Sequence, residues 1–214
     1  MIFDLDGTLI DSRLDLLNAV NVALSSVGRA DCSVDDLTNL VGGGTRALVK
    51  KALGGDLDLF DKAFEAFTEH YQIHLLDHTK LYPGVDETLH LLKDRTLAVL
   101  SNKRQKFCEA ILRGLGADEH FKLIMGGDKL SQKKPHPAPI LYICEQLKVV
   151  PQKTMMVGDS PIDVEAGKAA GVITVGITEG FTSSEIMKSA KPHFLVPSVA
   201  MLPSHSEWGK ILDF

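Results

Sequence analysis

The chain has 214 residues, 44% hydrophobic and 24% charged, which suits a globular protein with room for one domain or for a core with a smaller insert. A formal net charge of −5 and the lack of a basic run argue against nucleic acid as main partner, because binding a phosphate backbone draws on clustered Lys and Arg. Without a long apolar run or a signal-type amino terminus, and with Cys32, Cys108 and Cys144 odd in number and free of CxxC spacing, the expectation is a cytoplasmic protein with no membrane partner.

Ile2-Phe3 leads into Asp4-Leu5-Asp6-Gly7-Thr8. Extended geometry persisting through this segment sends Asp4 and Asp6 to one face, so that two carboxylates converge at a sheet edge. A hard divalent cation relieves such crowding, while a solvated Asx turn is the plain alternative. After Asp11-Ser12, Leu14, Leu17, Val20, Leu24 and Val27 recur at helical spacing until Gly28. Ser33 with Asp36 forms a capping-box pattern, and Gly42-Gly43-Gly44 breaks the chain before a helix opened by Thr45. Phe60, Phe64, Phe67 and Tyr71 mark a further helix whose aromatic stripe is expected to pack in a core. His70, His74 and His78, at steps of four, are expected on a solvent-facing edge rather than at a zinc site.

From Tyr82 the rhythm changes to short apolar runs at 97–100, 123–125, 155–157, 173–177 and 194–196, alternating with helical stretches at 103–113, 138–147 and 162–170. This alternation predicts an α/β fold with a doubly wound parallel sheet, a Rossmann-like core. The helical stretch 12–81 interrupts it, so residues 1–11 and 82–214 are expected to form the core and 12–81 a smaller helical unit, with hinges near 10–13 and 79–84.

Ser101-Asn102-Lys103, Lys134-Pro135-His136-Pro137 and Gly158-Asp159-Ser160-Pro161-Ile162-Asp163 follow the first motif in fixed order. The set resembles the haloacid dehalogenase superfamily of phosphohydrolases. With Tyr82-Pro83-Gly84-Val85, most of the chain resembles its phosphoglycolate phosphatase-like branch. The resemblance implies that 12–81 is a helical cap and that the activity is magnesium-dependent hydrolysis of a small phosphorylated metabolite, 2-phosphoglycolate being the leading candidate. It implies Asp4 as a nucleophile that becomes an aspartyl-phosphate, Asp6 as general acid and then base, and Mg2+ held by Asp4, Asp159 and the main-chain carbonyl of Asp6. It also implies that Lys134 binds phosphate. Only Met1, Ile2 and Phe3 precede Asp4, fewer residues than relatives carry, which implies a truncated start or a weaker sheet.

The Ser101 hydroxyl and the Asn102 amide, at the start of the coming helix, are candidate phosphate donors. Thr8, Gly158 and Asp163 are expected in support, Gly158 by permitting close backbone approach and Asp163 by holding water ligands or Lys134. Lys103 and His136 read as local supports. On the cap side, Gly43 and Thr45 are expected to form an anion-accepting corner, with Arg46 either a bidentate carboxylate clamp or a solvated surface residue. The alternatives are a phosphatase of another small ester such as a sugar phosphate or nucleotide, a phosphosugar mutase and, from a different class, a phospho-receiver or an interaction protein that does not turn over. Carbon–halogen displacement needs no acid for a leaving oxygen, and Lys50 and Lys51 look solvated rather than Schiff-base forming, so dehalogenation and phosphonate hydrolysis are disfavoured. A monomer or a homodimer is expected.

Overall fold

The computed structural model describes residues 1–203. Its elements in chain order are β1 (Ile2–Phe3), β2 (Ile10–Asp11), α1 (Arg13–Ser26), α2 (Val34–Leu40), α3 (Thr45–Ala52), α4 (Phe60–His74), β3 (Lys80–Leu81), α5 (Val85–Leu91), β4 (Ala98–Leu100), α6 (Gln105–Gly114), β5 (Leu123–Met125), α7 (Ala138–Gln146), β6 (Met155–Gly158), α8 (Pro161–Ala169), β7 (Ile173–Ile177), α9 (Ser184–Ala190) and β8 (Phe194–Val196). A six-stranded sheet runs β5-β4-β1-β6-β7-β8 with every pairing parallel, so the chain forms the expected α/β core. Although β1 has only two residues, it sits between β4 and β6 and pairs with both.

Side chains alternate between the two faces, as strand geometry requires. Ile2, Ala98, Leu100 and Met156 pack with Ile140 and Ile143 of α7 and Ala166 of α8, while Phe3, Val99 and Val157 turn the other way, to the cluster that holds Leu89 of α5 and Ile111 of α6. Burial on both faces explains why these strands read as continuous apolar runs.

Helices α1–α4 lie between β2 and β3, which pair antiparallel (Ile10 with Leu81, Asp11 with Lys80) in the hinge segments. Asp15, buried in the first turn of α1, locks this junction: its carboxylate accepts from the amides of His78 (3.0 Å) and Thr79 (2.8 Å) and from the Thr79 hydroxyl (2.7 Å). The Ser33–Asp36 capping box forms at the start of α2. Phe60, Phe67 and Tyr71 of α4 are buried.

Three expectations need correction. The buried face of α1 is Leu16, Ala19, Val20, Ala23 and Leu24, whereas Leu14 is half exposed, because the helix turns toward α4 along a stripe rotated from the one assumed. The helix expected from 103 starts at Gln105 with Arg104 as its N-cap, so Ser101 and Asn102 occupy a loop rather than a helix start. Helices α5 and α9, of seven residues each, were not anticipated, since two turns are too short to show a period. No helix among the described residues is long and apolar enough to cross a membrane.

Candidate active site

The carboxyl ends of three neighbouring strands deliver the site, as open parallel sheets do. Asp4 follows β1, Ser101 follows β4 and Asp159 follows β6. They open into a cavity of about 210 Å3, lined on the sheet side by Asp4, Asp6, Ser101, Lys103, Lys134 and Asp159. Helices α2 and α3 and the loop joining them supply Thr38, Val41, Gly42, Gly44, Thr45 and Leu48 on the opposite wall.

Lys134 is the buried cation of the sheet edge. Its Nζ donates to Asp163 Oδ1 (2.7 Å) and the Leu100 carbonyl (2.8 Å) and forms an ion pair with Asp4 Oδ1 (2.8 Å). Asp4 Oδ1 also accepts from the Leu5 amide at 2.7 Å, which leaves Oδ2 without a partner among the described residues. Asp159 accepts from the Phe181 amide (2.7 Å) and from Thr8 Oγ1 (3.3 Å). Asp163 turns its other oxygen to the amide and hydroxyl of Ser160, capping α8. Gly158 lies so close to the Asp163 carboxylate that a Cβ there would overlap it.

The two carboxylates of the Asp-x-Asp motif line one cavity but take different partners. Strand β1 ends at Phe3, so alternation stops before Asp6, and Asp6 Oδ1 pairs instead with Lys103 Nζ (2.7 Å) and Ser12 Oγ. Lys103 is 5% exposed and lines the cavity, which places it in the site rather than as a loop support. Its ammonium also donates to the Tyr71 hydroxyl at 2.6 Å. Sequence reasoning passed over Ser12, Lys103 and Tyr71 as site residues. The one signal for Lys103 was its place directly after Ser101-Asn102.

On the helical side, the Asn102 side chain bridges the Gly42 and Lys134 carbonyls (2.9 Å each), and Gly44 sits so close to the Asn102 carbonyl that no side chain fits there. Thr45 is 8% exposed, lines the cavity, and its hydroxyl has no partner among the described residues. Gly43 and Arg46 are not on the wall. Arg46 follows Thr45 by about 100° around α3, and its guanidinium lies over the rings of Phe60 (4.7 Å) and Phe64 (4.8 Å) on α4. Gly43 lies in the loop before α3, where a Cβ would crowd Ala47 of that helix.

Burial pushes Asp4 up to about 7, with Asp163 adding to the rise and Lys134 opposing it. Burial and the charges of Asp4 and Asp163 push Asp159 up to about 8. Burial alone would lower Lys134 and Lys103, but Asp163 and Asp4 hold the first above its ordinary value and Asp6 and Tyr71 the second. Asp4, Asp159 and Asp163 bring carboxylate oxygens within 4.8 Å of one another, three acids around one ammonium. An all-oxygen donor set with surplus negative charge suits a hard divalent cation.

The family model described as haloacid dehalogenase-like hydrolase matches residues 1–177. The chain is 41% identical over 204 residues to a phosphoglycolate phosphatase of Colwellia psychrerythraea, spanning 91% of this chain and 90% of that one. It is 42% identical over 177 residues to one of Aquifex aeolicus, spanning 81% and 82%. The crystal structure of a predicted phosphoglycolate phosphatase from Haemophilus somnus 129PT superposes with a TM-score of 0.88 at 33% identity, covering 95% of each chain. An open parallel sheet with acids and a lysine at its carboxyl edge, together with these matches, defines an α/β hydrolase. The chain belongs to the haloacid dehalogenase-like hydrolase family.

Asp4 and Asp159 bind protons more tightly folded than unfolded, so they favour the metal-free fold at low pH and lose that contribution as pH rises from about 4 to about 8. Thermal unfolding of chelated protein is expected to give a lower midpoint at about pH 8 than at about pH 5, with Mg2+ raising the midpoint mainly at the higher pH. Asp159→Asn is expected to reduce both effects. A midpoint indifferent to pH and Mg2+ would contradict this assignment.

Proposed function

We propose that the chain is a magnesium-dependent phosphatase that hydrolyses a small phosphomonoester, 2-phosphoglycolate foremost, through an aspartyl-phosphate on Asp4. The observation that carries the reading is the unpartnered Asp4 Oδ2 in a cavity that Lys134 and Ser101 also line, with a second carboxylate, Asp6, held by its own lysine at the same cavity. In the first step Asp4 Oδ2 attacks phosphorus, the ester P–O bond breaks, and Asp6 gives a proton to the departing alkoxide. In the second, Asp6 takes a proton from water as it attacks phosphorus, the bond to Asp4 breaks, and orthophosphate leaves.

Ser101 Oγ and Lys134 Nζ bind the phosphoryl oxygens. The Ser101 hydroxyl accepts from the Lys103 amide at 3.2 Å and keeps its own proton to donate. Asp4, Asp159 and the Asp6 carbonyl would hold Mg2+, which supplies positive charge against the phosphoryl oxygens. Thr8 and Asp163 keep Asp159 and Lys134 in place.

Residues 12–81 act as the cap that closes the cavity, on a core of residues 1–11 and 82–203; the remainder of the expected core, 204–214, lies outside the described residues. A cavity of about 210 Å3 falls below the roughly 300–1,000 Å3 of pockets that take drug-sized ligands, which favours a compact ester over a nucleotide. The relatives named phosphoglycolate phosphatase support the particular substrate. Thr45, with the free amides that open α3, is the donor set for its carboxylate, in place of Arg46. The unpaired Cys32, Cys108 and Cys144 support a reducing compartment, the cytoplasm.

Phosphate release with and without Mg2+ over a panel of small esters tests the activity. Asp4→Asn is expected to lower kcat by about a thousandfold or more with the fold retained, and turnover near that of the unaltered enzyme would remove Asp4 as nucleophile. Thr45→Val is expected to raise KM for 2-phosphoglycolate by about five- to tenfold while leaving ethyl phosphate unaffected. Arg46→Ala should alter neither. Equal effects of Thr45→Val on the two esters would discard Thr45 as a carboxylate donor.

A further inference from the structure

Asp6 is gripped by one oxygen. Its Oδ1 accepts from Ser12 Oγ and Lys103 Nζ, while Oδ2 has no partner among the described residues. Both donors lead into the helical insert. Ser12 is the N-cap residue of α1, directly after β2, and the Lys103 ammonium runs on to the Tyr71 hydroxyl of α4. Lys103 is 5% and Tyr71 1% exposed, so neither exchanges its partner for water at low cost.

The position of the Tyr71 hydroxyl depends in turn on how α4 is seated. The Tyr71 ring stacks on Phe67 of its own helix (centroids 5.4 Å) and meets Phe107 of α6, beside the sheet, edge-on at 5.1 Å. A shift of α4 away from α6 would pull the hydroxyl from the ammonium, leaving a flexible lysine with one partner fewer to fix it. A misplacement of about 1 Å at a reacting group can cost about a hundredfold in rate.

We propose that Tyr71 and Lys103 are positioning residues that aim the free oxygen of Asp6 at the scissile ester only while α4 is seated against the core, so that a proton reaches the leaving oxygen in the closed arrangement alone. The inference rests on the reading of Asp6 as the acid–base group and adds to it the side chains through which cap and acid are coupled. Lys103 meets one oxygen of Asp6, and Tyr71 reaches Asp6 only by way of Lys103, so both act through the carboxylate.

The test compares two esters on the magnesium-loaded enzyme. 2-Phosphoglycolate leaves as a basic alkoxide and needs the proton, whereas p-nitrophenyl phosphate leaves as a weakly basic phenolate and does not. Asp6→Asn is expected to lower kcat/KM for phosphoglycolate by about a hundredfold more than for the aryl ester. Tyr71→Phe, which keeps the ring, should show the same bias at about tenfold, and Lys103→Met a larger one. A general disturbance of the fold would instead depress both esters alike. If Tyr71→Phe and Lys103→Met lower both equally while Asp6→Asn discriminates, the coupling is overturned and the acid role of Asp6 stands. If Asp6→Asn does not discriminate either, the acid role falls and the proposal with it. Should Tyr71→Phe fail to fold, Ser12→Ala removes the other donor to Oδ1 without touching α4, and the same bias is expected of it.

Discussion

The ammonium of Lys134 is the constraint on which the rest of this molecule depends. It ties the end of β1, the carbonyl edge of β4 and the first turn of α8 together through Asp4, Leu100 and Asp163. Without it, three carboxylates whose oxygens come within 4.8 Å of one another would repel across a buried space. Its single charge does not balance three. Burial pushes Asp4 and Asp159 up toward neutrality, with Asp163 adding to the rise of both, and the surplus of negative charge suits the site to a divalent cation.

A second buried lysine does the corresponding work for Asp6. At the cavity two acids meet an ammonium through one oxygen and leave the other free, Asp4 with Lys134 and Asp6 with Lys103. Under the proposed chemistry this separation is what one site needs to run a nucleophile and a proton carrier side by side. The pairs also differ in what lies behind them. Lys134 is anchored wholly to the sheet and α8, whereas Lys103 is anchored to a helix of the insert through Tyr71.

Much of this was legible in the residues. The strands after Tyr82 fall on the apolar runs because burial on both faces demands continuous hydrophobicity, and Asp4, Ser101 and Asp159 fall at strand ends because parallel strands deliver their carboxyl edges to one side. Directions were not legible. The convergence expected for Asp4 and Asp6 assumed that strand geometry continued; β1 stops after Phe3, and the two carboxylates reach one cavity with different ammonium partners. Arg46 and Thr45 are adjacent in sequence yet differ by about 100° on α3, and only the packing of the aromatic side chains Phe60 and Phe64 decides which of them meets the cavity. Tyr71 read correctly as a buried ring, but a helical period cannot say which ion its hydroxyl will meet.

The most direct measurement is a crystal structure grown with Mg2+ and beryllofluoride, which mimics a phosphoryl group bonded to a carboxylate. The account predicts beryllium on Asp4 Oδ2, its fluorides within hydrogen-bond distance of Ser101 Oγ and Lys134 Nζ, and the metal shared by Asp4 and Asp159. An adduct on another carboxylate, or a metal bound without Asp4, would contradict it.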